Sequence, residues 1–190
     1  MNIARISLMT LAAGVLAGCT FTVEADQENA SSAQNPPKPP GTFATPFPTA
    51  IGALDLVSAT PAEERFKLPD GPHHKILGTQ LTTLYQDTPR LKSFYATGAQ
   101  AEVTDPKAAV DWLTAQDRER ENPQTDWVYV GTGPLRGAAS CRNTDDGTYC
   151  YWADADTVGF LEIPRSLAGK ITESFAMIRS ALEGDPPKSR

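Results

Sequence analysis

Histidine and cysteine are scarce in this chain: two histidines and three cysteines stand among 190 residues. A structural zinc site needs about four such ligands. His73 and His74 are adjacent in a Gly-Pro loop, and there is no second cysteine pair, so no metal and no cofactor is expected. Basic residues are also short, 17 against 23 acidic, for a net charge of −6. An acidic body argues against nucleic acid as a partner and against electrostatic attraction to anionic lipid. No uncharged apolar run reaches the roughly 20 residues of a membrane-spanning helix. No serine-hydrolase elbow, metalloprotease helix or penicillin-binding serine-lysine motif appears, so no catalytic residue is assigned and no enzyme is expected.

What is present begins at the N-terminus. Arg5 precedes Ile6–Ala17, a charge-free apolar run with the dimensions of a signal-peptide core. Leu16-Ala17-Gly18-Cys19 follows, and it resembles the lipobox of bacterial lipoproteins. The resemblance implies cleavage after Gly18 and a diacylglycerol on the Cys19 sulfur. The alternative is a plain secretory signal with a chance cysteine. One acyl chain holds a protein only marginally, whereas two or more anchor it stably. The expected location is therefore the outer, extracytoplasmic face of a cell membrane, held there through the lipid on Cys19. Loss of residues 1–18, which carry Arg5 and no acid, takes the charge to −7.

Residues 19–50 are rich in Pro, Ser, Ala, Gln and Asn. Such a segment buries too little surface to offset its ordering entropy, so a disordered tether is expected, extended and semi-stiff over Pro36–Pro48. Residues 51–190 then form one domain, its folded core beginning between residues 50 and 70. Thr60, Pro61 and Glu63 spell a helix start, and Pro69 a stop. The stretch His73–Asp87 is ambiguous between helix and strand. Leu91–Ala99 and Thr125–Gly133 read as strands. Asp105 caps a helix whose apolar side is Ala109, Val110, Trp112 and Leu113. Thr157–Pro164 continues or pairs beside a hairpin. The last helix carries the stripe Leu167, Ile171, Phe175, Ile178 and Leu182, with Ser166 as its cap and Gly184 and Pro186 as its stop. The expected fold class is α+β: an antiparallel sheet of about four strands against two helices, with one hairpin disulfide.

That disulfide follows from register. With Thr144–Gly147 as the hairpin loop, Asn143 faces Thr148, Arg142 faces Tyr149 and Cys141 faces Cys150. Directly opposed strand positions come close enough to bridge, and an exported chain meets oxidising conditions. The spacing is far longer than the Cys-x-x-Cys of redox centres. One cysteine for lipid and two for a bridge account for the odd count.

Other residues invite chemistry. Asp154 and Asp156, near Asp145 and Asp146, raise calcium, but the third acid and the spacing of a binding loop are missing, so solvated hairpin ends or a local turn are expected. Gly131–Gly137 looks like a phosphate loop, yet it leads into a hairpin and not a helix, so a turn or bulge is expected. Trp152 reads as core and Arg179 as a surface or ion-pair residue. Asp154, Asp156 and His73 are the residues an unrecognised enzyme site would use.

Gly133-Pro134, Gly137, Cys141, Cys150-Tyr151-Trp152-Ala153-Asp154, Thr157-Val158-Gly159, and a final helix with Arg179 and Glu183 together resemble the extracytoplasmic domain of uncharacterised actinobacterial lipoproteins and single-pass membrane proteins. The match covers residues 131–183 and extends loosely to Leu68. It implies an extracytoplasmic, disulfide-bearing α+β domain and no activity. The leading expectation is a non-enzymatic module that binds an envelope protein or other envelope component. The alternatives are a lipoprotein that binds or senses a small ligand, and an enzyme with an unrecognised site.

Overall fold

The computed structural model describes residues 41–89, 92–120, 126–165 and 171–184. Cys19 and the signal-like segment lie outside the described residues, as do most of the tether, Ser166, Leu167 and Pro186.

The sheet is far larger than expected. Among the described residues nine strands, all antiparallel, replace the roughly four anticipated. They are β1 (Ala50–Ile51), β2 (Leu54–Pro61), β3 (His74–Ile76), β4 (Leu81–Gln86), β5 (Ser93–Val103), β6 (Val128–Tyr129), β7 (Ala138–Asn143), β8 (Gly147–Ala153) and β9 (Thr157–Pro164). Their spatial order is β1-β2-β4-β5-β9-β8-β7-β6. The long β5 also takes β3, which pairs with Ala101–Val103 further along. The described helices are α1 (Pro106–Arg120) and α2 (Ile171–Glu183).

The undercount has local causes. The capping signal at Thr60-Pro61 loses to strand pairing, Thr60 opposite Thr82 and Pro61 opposite Leu81 on β4. Only a 3-10 turn, Glu64–Phe66, remains of the expected helix. A one-residue bulge between Leu56 and Ser58 breaks the alternation of β2. It lets Leu56 and Ala59 both meet the same core and leaves Val57 56% exposed. A period-2 reading therefore misses this strand.

Two cores lie on opposite faces of the sheet. Along β9, Leu161 and Ile163 join Trp152, Phe94 and Tyr85 with Phe175, Ile178 and Leu182 of α2. Val158 and Phe160 face the other way, with Ala153 and with Ala109, Val110 and Leu113 of α1. The Asp105 carboxylate accepts from Ala108 N–H at 3.0 Å, as an N-cap does. Gly184, at φ +80°, closes α2.

The described body also begins earlier than residue 51. Phe43 and Phe47, inside the segment read as tether, are 2% and 8% exposed. Phe43 lies over Gly98, where a side-chain carbon would fall 2.6 Å from its ring.

Candidate functional site

The hairpin forms in the expected register, Cys141 opposite Cys150, Arg142 opposite Tyr149 and Asn143 opposite Thr148. Cys141 and Cys150 are bridged, their Cα atoms 4.1 Å apart. Thr144 closes the loop: its N–H donates to the Gly147 carbonyl at 2.8 Å, and its hydroxyl accepts from Gly147 N–H at 3.2 Å.

Just beyond the bridge, polar side chains converge inside the protein. Arg179, 1% exposed, donates from Nε to Glu183 Oε2 at 3.0 Å. One terminal nitrogen donates to the Arg136 carbonyl at 2.8 Å and the other to Asp154 Oδ2. Trp152 Nε1 donates to the second Glu183 oxygen. Asp154 Oδ1 accepts from the N–H groups of Asp156 and Thr157, each at 2.9 Å. Burial pushes the Glu183 carboxyl up to about 7, against the pull of Arg179, with the Asp154 charge adding to the rise. Burial likewise raises the Asp154 carboxyl, while its backbone donors and Arg179 hold it down.

Many of the residues that carry the sequence resemblance serve this cluster or its frame, while Ala153, Val158 and Tyr151 face the α1 side. The Gly133–Leu135 turn and Arg136 bring a backbone carbonyl to Arg179. Gly137, at φ +80°, passes so close to β8 that a Cβ would sit 2.1 Å from the Ala153 carbonyl. Gly159 lies under Trp152, where a Cβ would be 2.0 Å from the ring. The Thr157 hydroxyl donates to the Gly41 carbonyl at 2.8 Å, and Gly41 N–H donates to the Glu183 carbonyl at 3.1 Å. Carboxylates, guanidinium and indole are thus spent on one another. Trp152 is core, as expected; Arg179 is an ion-pair residue but fully buried.

The other candidates separate. His73 sits beside β5, its carbonyl accepting from Thr104, whereas Asp154 turns to Arg179 and Asp156 is exposed. Among the described residues there is no group of three His, Cys, Asp or Glu placed to hold a metal. No described helix is long and apolar enough to cross a membrane.

Two surface features remain. On the α1 side, strand register lines up Leu84, Tyr95, Glu162, Tyr149 and Arg142 across five strands. Arg142, buried, pairs with Asp117 of α1 at 2.9 Å. Beside that row, Phe160 and Tyr151 floor a cleft of about 80 Å³ between α1 and the Arg65–Pro69 loop. On the opposite side, an apolar slot of about 230 Å³ opens between the β1–β2 turn, the ends of β4 and β5, and α2. Sequence reasoning found neither, because each is assembled from strands that are distant in the chain. Comparison of the chain with known protein families, with curated proteins and with solved structures finds no match.

Proposed function

We propose that this protein is a non-enzymatic binding module, tethered by a lipid on Cys19 to the extracytoplasmic face of a membrane, with an envelope protein as its partner. The observation that carries this reading is the fate of the catalytic-type residues. Asp154, Arg179, Glu183 and Trp152 satisfy one another inside the protein, away from solvent. The half-buried row Leu84, Tyr95, Glu162 and Tyr149 is what the α1 side offers to a partner. Aromatic side chains of this kind carry much of the energy of protein contacts. The lipobox-like segment and the hairpin disulfide support export, and the resemblance to actinobacterial lipoprotein domains supports the same location.

Photo-crosslinking in native membranes tests it. A photoreactive residue at Tyr149 should trap a discrete protein, and one at exposed Asp145 should not. Equal products from both positions overturn the reading. A small-ligand reading draws on the apolar slot.

A further inference from the structure

We infer that the apolar slot beside α2 binds the straight aliphatic chain of a fatty-acid-class molecule, its carboxylate at Lys92. The slot is built from both sides of the chain. Ile51, Leu54, Phe94, Ile163 and Ile178, all buried, form its apolar base, and exposed Ala53 and Met177 stand at its mouth. Phe94 is fixed by stacking on Tyr85, 4.9 Å between ring centres, and Tyr85 donates to the Pro48 carbonyl at 2.8 Å. The base is therefore rigid, while the mouth carries the flexible thioether of Met177, a side chain suited to variable apolar contacts.

The dimensions select a chain and reject a bulky ring system. At about 30 Å³ for each water-sized group, a slot of about 230 Å³ holds roughly seven or eight chain carbons. That is below the usual 300–1,000 Å³ of pockets that enclose a whole ligand (about that range), so the rest of the molecule must lie outside. The rim then decides the headgroup. Asp87 is engaged: its Oδ1 accepts from Lys92 N–H at 3.0 Å and its own N–H donates to the Lys92 carbonyl at 3.0 Å. The Lys92 side chain is exposed and makes no ion pair among the described residues. Among the lining residues Lys92 is the cation that can meet a carboxylate, with the charged Asp87 carboxylate beside it.

The inference uses neither the membrane anchor nor the α1-side partner, and its test is independent of both. Calorimetric titration of the full chain carrying Cys19→Ala, with hexanoate, octanoate, decanoate and dodecanoate below their micellar concentrations, reads the slot directly. Affinity should rise about three- to fourfold per methylene, the usual gain for burying one, and level off beyond about eight buried carbons. Lys92→Ala should weaken decanoate about three- to fivefold, as for an exposed ion pair, and leave decanol unchanged. Ala53→Trp, at an exposed position, should block the mouth and weaken both more than about tenfold, with thermal unfolding monitored to show that the fold is intact. No saturable binding by the parent chain overturns the inference. So does binding that Ala53→Trp leaves untouched, or a Lys92→Ala loss that is equal for decanoate and decanol.

Discussion

At the scale of single residues, one guanidinium faces two carboxylates in a sealed site, and this sets the protein's response to pH. Glu183 ionises near 4.5 when exposed and near 7 in the fold, because burial disfavours its charge. A carboxyl raised on folding stabilises the protein fully below its unfolded value, and that contribution is lost as pH rises through its folded value. Between pH 4.5 and about 7 the wild type should therefore lose up to about 3 kcal/mol that a Glu183→Gln variant does not. Urea denaturation of both proteins at pH 5 and pH 8 measures this; a stability difference independent of pH would contradict it. Removing the cation is worse than neutralising an acid. Arg179→Met strands Glu183 and Asp154 without a charge partner and should cost about 3–5 kcal/mol at pH 8, with a smaller loss at pH 5. A third residue-scale effect is steric. Gly159→Ala forces a carbon into the Trp152 ring and should cost about 1–3 kcal/mol or more, as overpacking does, with a changed near-ultraviolet signal from that tryptophan.

At the scale of elements, the hairpin and the helices were legible because their signals are local. Cys141 and Cys150 sit symmetrically about a four-residue turn, so counting outward from Thr144–Gly147 gives the observed register. Asp105 and the Ala109, Val110, Leu113 face define α1, and Phe175, Ile178 and Leu182 define α2 in the same way. The two-residue strand β1 has no such signal, since pairing with a neighbour is all that makes it a strand, whereas β6 falls inside Thr125–Gly133, whose β-branched and aromatic residues read as a strand. His74–Ile76 and Leu81–Gln86 were ambiguous for a related reason. Their partner, β5, is central and accepts both along one side, a fact of topology that no local period encodes. The bridge itself tests how much the hairpin owes to covalent closure. Replacing Cys141 and Cys150 with Ala should lower stability by about 2–4 kcal/mol in the chain-entropy account. The cysteines are 2% and 0% exposed, so a double Cys→Val replacement, which keeps the side-chain volume nearer, separates lost packing from lost cross-linking. If Val restores most of the loss in a denaturant titration, packing and not closure holds the hairpin.

At the scale of the whole molecule, the segment before the first strand is what joins the two ends of the described chain. Its Pro-rich composition reads as spacer, and composition cannot show that two phenylalanines within it have places to go. Phe43 covers Gly98 of β5 and meets Trp152, 6.2 Å between ring centres, and Phe47, 5.1 Å away. Gly41 accepts from Thr157 and donates to Glu183 at the end of α2. The strap thus caps the polar cluster and fills the core over β5, and two distant halves of the sequence meet at one indole. The described body begins at Gly41, the first residue of this strap. Where the tether ends therefore has a measurable consequence. A chain beginning at Asn35 should unfold at the same temperature as the full chain, and one beginning at Ile51 should be markedly less stable or fail to fold. Phe43→Ala in the full chain should account for about 3–5 kcal/mol, as truncation of a buried phenylalanine does. The same substitution removes one wall from the Trp152 site, so its effect should be smaller than additive with Gly159→Ala, because both act on that ring. Denaturant titrations of the two single variants and the double variant decide this: a strictly additive pair would mean that Phe43 and Gly159 support the core separately, and that the strap does not hold the indole in place.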